Sequence, residues 1–134
     1  MKLVITGKGG DGVKFLGTVL SKVLMRKYNV VVSFDYDAAN VGGDIISYII
    51  YSEEKIGNVT IDKADVLFRL NKVGKEIKFD REVVVVDSEY RKNMVGLGVI
   101  LKSLNIGLDI ELLRSLITKD TGENIKSVEY GYSL

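Results

Sequence analysis

Two rhythms of apolar residues open the chain. Residues 2 to 6, KLVIT, make a short apolar run that stops at a glycine cluster; Val13, Leu16, Leu20 and Val23 then recur at the spacing of one helix face within 13–28. The pattern predicts strand, loop and helix in that order. NVVVSFD, ending at Asp35, predicts a second strand, and its continuous β-branched run predicts one buried on both faces, as parallel strands are. YDAANVGGD reads as a polar loop with a glycine pair, followed by DIISYIIYS as a third strand and a turn-rich connection over 52–62. ADVLFRL and REVVVVD predict two further strands. Three helical segments follow near 91–104, 110–118 and 121–132, with Asp109 and Thr121 as N-caps of the last two.

No repeat, low-complexity tract or linker interrupts these elements, and 134 residues suffice for one buried core. The expected fold is α/β: a single-domain layer sandwich over residues 1–134, with a mostly parallel central sheet and a glycine-rich loop after the first strand. Gly96 and Gly98, close together near a helix start, predict tight packing against a neighbour, either the sheet or another subunit.

Composition narrows the chemistry. Nineteen basic and eighteen acidic residues leave a net charge of +1, so neither nucleic acid nor a membrane surface is an expected partner. No apolar run reaches the roughly 18 residues of a membrane span, and the N-terminus lacks the order of a signal peptide, which gives a cytoplasmic expectation. Cysteine and histidine are both absent. The chain by itself therefore ligates no iron–sulfur cluster, lacks the usual zinc ligands and carries no triad built on an imidazole base. No catalytic residue and no metal ligand is assigned. Asp35, Asp37 and Asp44 read as turn formers in a loop region rather than as paired catalytic carboxylates.

The stretch Gly7-Lys8-Gly9-Gly10-Asp11-Gly12-Val13 joins the first strand to the first helix. Glycine permits positive φ and close approach of backbone N–H groups to an anion, and the helix N-terminus adds positive partial charge, so the position suits a phosphate. The competing structural role is tight packing of the helix on the sheet. Gly7, Gly9 and Gly12 also satisfy G-x-G-x-x-G, with Asp35 near where a ribose-binding acid would stand, although no second mononucleotide half follows. A phosphate loop of the Gly-Lys-Ser/Thr kind fails on chemistry. The sequence continues Gly12-Val13-Lys14-Phe15, which shifts the lysine by one place and puts a phenyl ring where magnesium needs a hydroxyl.

Fragments spread over nearly the whole chain resemble one family. ITGKGGDGV before a helix is similar to the opening of the gamma subunit, or gamma domain, of 2-oxoacid:ferredoxin oxidoreductases acting on pyruvate, 2-oxoglutarate or 2-ketoisovalerate, where the loop typically reads G-x-G-G-Q-G-V. The resemblance continues through Tyr36 and Val41-Gly42-Gly43 into DIISYIIYS, through Ile56-Gly57, and along Ala64-Asp65-Val66-Leu67 to Asn71. Asn93-Met94-Val95-Gly96-Leu97-Gly98 resembles the family's N-M-V-A-L-G helix start, and NIKSVEYGY, with Asn124, Gly131 and Tyr132, resembles its closing helix.

In that family the complete enzyme oxidatively decarboxylates a 2-oxoacid, forms the acyl-CoA and reduces ferredoxin. The resemblance implies an enzyme subunit that is inactive alone, with thiamine diphosphate and iron–sulfur clusters bound by partner subunits and coenzyme A as its own possible ligand. It implies partnership with the other subunits, with ferredoxin only indirectly, and a homodimer when isolated. The candidate binding residues are Gly7, Lys8, Gly9, Gly10, Asp11, Gly12, Tyr36, Gly42, Gly43 and Asn71, with the amides of Gly9, Gly10 and Gly12 and the Lys8 ammonium facing a phosphate or pyrophosphate. Two departures stand out. Asp11 replaces the usual glutamine, and Asp37-Ala38-Ala39-Asn40-Val41 replaces G-P-E-M-R, so the bidentate contacts of an arginine are missing. Two other readings stay open: a degenerate gamma-like assembly protein without ligand binding, and a small dinucleotide-binding Rossmann-like module.

Overall fold

The computed structural model describes residues 1–36 and 43–134. In chain order these are β1 (Lys2–Lys8), α1 (Val13–Leu24), β2 (Asn29–Tyr36), β3 (Asp44–Ser52), β4 (Ala64–Arg69), β5 (Phe79–Val84), α2 (Lys92–Ser103), α3 (Ile110–Leu116) and α4 (Thr121–Ser133). The chain divides into two compact units: Met1–Val84, with the sheet and α1, and Val85–Leu134, with the other three helices.

The strands form one sheet in the order β2-β3-β1-β4-β5. β1 pairs parallel with β4 and β4 with β5, while β3 runs antiparallel to both β1 and β2. The sheet is therefore mixed, not mostly parallel. The reason lies in chain length. Only seven residues separate Tyr36 from Asp44, whereas a parallel connection takes about a dozen or more.

The strand order also corrects the expectation of a doubly buried second strand. β2 is an edge strand whose Val32, Asp35 and Tyr36 are exposed. A β-branched run marks extended structure, but burial depends on what covers it. β5, the other edge, begins at Phe79 rather than Arg81 and ends at Val84, and Val84 and Val86 are exposed. The buried middle is built from Leu3, Val4 and Ile5 of β1, Ile49 of β3, and Leu67 and Phe68 of β4.

The helix α1 packs on one face of the sheet through Val13, Leu16, Leu20 and Leu24, all buried. A Cβ at Gly17 would stand 2.6 Å from Ser47 Oγ and 3.1 Å from the Phe34 ring, so the helix lies close on the strands there. Strand alternation sends Val4, Ile46 and Tyr48 to the opposite face. There Val4, Ile46, Ala64 and Leu67 form a second cluster, covered by Tyr48 and by Ile61, Val73 and Ile77 from the connecting segments.

In the second unit, α2 and α4 meet backbone to backbone. A Cβ on Gly98 would lie 2.1 Å from the Val128 carbonyl oxygen, and one on Gly131 would lie 2.0 Å from that of Val95. The neighbour of Gly98 is thus α4, a helix of the same chain, and not the sheet or another subunit as expected. Arg91 ties the two helix starts together, donating to Asp120 at 3.1 Å and Glu123 at 2.6 Å through its guanidinium and to Ser127 Oγ at 3.1 Å through its backbone. Asp109 caps α3 as expected, accepting from the Leu112 amide at 3.0 Å. Thr121 is not a cap: Asp120 holds the N-cap position at φ 47°, and the Thr121 hydroxyl donates back to the Ile117 carbonyl. Among the described residues, no helix is long and apolar enough to cross a membrane.

Candidate functional site

The glycine loop leaves the end of β1, the middle strand of the sheet, and enters α1. Two of its glycines are required by backbone geometry. Gly10 (φ 93°) and Gly12 (φ 74°) are left-handed, and Gly12 is the N-cap of α1. Gly7 is required by space, since a Cβ would meet Val13 Cγ2 at 2.4 Å and Asp11 Oδ2 at 3.1 Å. The sequence therefore specifies a tight turn before any ligand is considered.

Two carboxylates fasten that turn. Asp11 Oδ2 accepts from the Lys8 amide at 2.6 Å and from Asn71 Nδ2 at 2.7 Å, while the Asp11 amide donates to the Lys8 carbonyl at 2.9 Å. The Asn71 carbonyl in turn accepts from Thr6 Oγ1 at 2.9 Å. On the other side, Lys8 Nζ pairs with Asp44 Oδ1, Asp44 Oδ2 accepts from the Gly74 amide at 2.7 Å, and the Gly9 amide donates to the Gly43 carbonyl at 2.7 Å. The loop is thus clasped by the segment entering β3 and by the segment leaving β4.

Of the residues proposed from sequence, Gly7, Lys8, Gly9, Gly10, Asp11, Gly12, Gly43 and Asn71 come together in this clasp. Gly42 and Val41 lie outside the described residues. Tyr36, at the end of β2, lines a small pocket of about 170 Å³ with Asp35, Asp44, Ile46 and Lys75. A larger cleft of about 710 Å³ shares Asp35 and Lys75 and runs along the sheet face over Val4 and Tyr48; it includes no residue of the glycine loop. Lys75 Nζ lies 3.1 Å from the Tyr48 hydroxyl and 3.7 Å from Asp35 Oδ2.

The sequence reading missed Asp44 and Gly74. Asp44 is the first residue of β3, not a turn former, and the antiparallel register places it directly across from Lys8. Opposite charges at facing strand ends were the available signal, usable only once β3 is known to run against β1. Among the described residues no group of three or more acidic side chains is placed to hold a metal ion.

The Asp44 carboxyl is held below its usual value of 3.8, first by the hydrogen bond from Lys8 and then by the Gly74 amide. A carboxylate with a depressed folded-state pKa contributes stability above its unfolded pKa, and the contribution is lost as pH falls through the folded value. The difference in melting temperature between the native chain and Asp44→Asn is therefore expected to stay constant from about pH 8 to about pH 5 and to disappear under more acidic conditions. Melting curves of both proteins across this range check it. A difference that grew on acidification would reverse the sign.

The geometry defines an α/β domain with a clasped glycine loop at the end of its middle strand. It departs from a dinucleotide fold, because β3 lies between β1 and β2 and Asp35 is not on the strand next to the loop's own. A family model described as pyruvate ferredoxin/flavodoxin oxidoreductase matches residues 2–79, more than half of the chain, and the chain belongs to that family.

Solved structures share the fold. Pyruvate oxidoreductase subunit PORC from Thermotoga maritima aligns with a TM-score of 0.72 at 13% identity, over 99% of this chain and 95% of that one. The gamma subunit of a keto/oxoacid ferredoxin oxidoreductase from Geobacter sulfurreducens gives 0.68 at 14%, over 98% and 96%. A 2-oxoglutarate:ferredoxin oxidoreductase from Magnetococcus marinus, solved with 2-oxoglutarate, coenzyme A and succinyl-CoA, gives 0.74 at 18%, over 99% of this chain and 30% of that one. No curated protein matches the sequence significantly.

Proposed function

We propose that this chain is the gamma subunit of a cytoplasmic 2-oxoacid:ferredoxin oxidoreductase, contributing to assembly and to the coenzyme A side of the active complex. Thiamine diphosphate and iron–sulfur clusters belong in this reading to partner subunits, which fits a chain without cysteine or histidine. The observation that carries the coenzyme A assignment is the loop itself: left-handed glycines at the N-terminus of α1, with a partly exposed lysine beside them. The Magnetococcus structure, which shares the fold, was solved with coenzyme A.

The clasp narrows the expected contacts. The Lys8 and Gly9 amides are spent on Asp11 and Gly43, so the Lys8 ammonium and the solvent-facing backbone at Gly10 are the points a phosphate would meet. Asp11 and Asp44 also favour the second reading, a gamma-like assembly protein whose loop is filled by its own carboxylates. The two readings separate on purification of the tagged chain from its native cells. Co-eluting iron and thiamine diphosphate, with coenzyme A-dependent viologen reduction by a 2-oxoacid, support the enzyme subunit. Partner proteins without coenzyme A dependence support the assembly role, and a cofactor-free homodimer overturns the enzyme reading.

A further inference from the structure

We infer that Asp44 is a latch on the glycine loop: it holds the Lys8 ammonium and sets the affinity of the loop for phosphate-bearing ligands. The inference rests on the phosphate-binding reading of the loop and adds a residue that neither the loop motif nor the fold singles out.

Lys8 is the one cationic side chain within the loop. Its Nζ is drawn across the sheet to Asp44 Oδ1, which the β1–β3 register places opposite. Asp44 is itself fixed from its other side, because Oδ2 accepts from the Gly74 amide. The acid is therefore anchored to the segment after β4, and the lysine is the mobile partner. The Lys8 and Asp44 side chains remain 44% and 29% exposed, so water competes for the pair.

An ammonium has three protons and can serve a phosphate while still touching a carboxylate. That geometry would leave the Asp44 charge against the incoming anion, and like charges at such range repel. Phosphate capture is therefore an exchange: Lys8 leaves Asp44 and turns to the ligand. A pair this exposed is weak, so the exchange is permitted rather than forbidden. Asp44 also lines the pocket shared with Tyr36 and Lys75.

Asp44→Asn tests this directly, because the amide oxygen still accepts from Gly74 while the charge that holds Lys8 is gone. Titration calorimetry of the full chain with coenzyme A, and separately with inorganic pyrophosphate, is expected to show about fivefold tighter binding by D44N than by the native protein. Lys8→Gln should weaken binding, and the K8Q/D44N double variant should bind no more tightly than K8Q alone. If D44N melts early, Asp44→Ser removes the same charge and keeps a short acceptor. Native binding of coenzyme A with equal or weaker binding by D44N overturns the latch and leaves the loop reading standing. Failure of every variant and of the native chain to bind either probe overturns both.

Discussion

Gly98→Ala is expected to lower the melting temperature by about 10 °C, corresponding to about 3 kcal/mol. The added methyl would sit 2.1 Å from the Val128 carbonyl oxygen and 2.6 Å from the Tyr132 amide nitrogen, both backbone atoms of α4. A side chain can rotate away from such a contact; helical backbone cannot without moving the helix. The same holds in reverse for Gly131→Ala, whose methyl would meet the Val95 carbonyl at 2.0 Å. Since both changes force the same two helices apart, the double variant should cost less than the sum of the singles. Gly107→Ala, with nothing within 4 Å of its Cβ, is the control and should change the melting temperature little. Thermal and urea denaturation of the four proteins checks the ranking, and a near-native Gly98→Ala would refute the backbone contact.

The second large effect falls on Asp11. Asp11→Ala removes the acceptor of both the Lys8 amide and the Asn71 side chain. Partly buried donors left unpaired cost about 1–3 kcal/mol, so destabilisation by about 2 kcal/mol is expected. Asp11→Asn keeps one carbonyl oxygen in place and should recover much of the loss, unless its NH₂ group is turned toward the donors. Amide hydrogen exchange gives the local readout: the Lys8 N–H should exchange faster in Asp11→Ala and remain slow in Asp11→Asn. Gly10→Ala is a poorer probe of ligand binding than its open surroundings suggest. Nothing would touch the methyl, but φ 93° strains any L-residue, so affinity and loop geometry would change together.

Much of the fold was legible because the relevant signals were local. Apolar spacing over Val13, Leu16 and Leu20 located α1, and the DIISYIIYS run matched β3 residue for residue. Asp109 capped its helix by the ordinary side-chain rule. The misreadings concerned relations between segments. NVVVSFD identified a strand correctly, yet its burial depended on β2 being at the edge, which no residue of β2 encodes. The reversed direction of β3 was implicit in the short Tyr36-to-Asp44 connection, but its place beside β1, which sets Asp44 across from Lys8, was not.

The candidate site divides in the same way. The left-handed conformations at Gly10 and Gly12 follow from residue type, and the motif led to the loop. A carboxylate at Asp11 would repel a bound phosphate if it faced one. In the folded chain it is the hydrogen-bond acceptor that closes the turn and joins it to Asn71, a contact across 60 positions that spacing alone does not reveal. The packing of Gly98 on Gly131's helix joins segments about thirty residues apart and likewise awaited the three-dimensional arrangement.

The most direct test of the proposal that the loop meets coenzyme A is steady-state kinetics of the complex purified around Lys8→Gln, with coenzyme A and the 2-oxoacid varied in turn. A lysine that meets the coenzyme A phosphate predicts a KM for coenzyme A raised about tenfold, with the KM for the 2-oxoacid unchanged. An unchanged KM for coenzyme A in a fully assembled, active complex would contradict it, leaving the loop as a packing device and the chain as an assembly subunit.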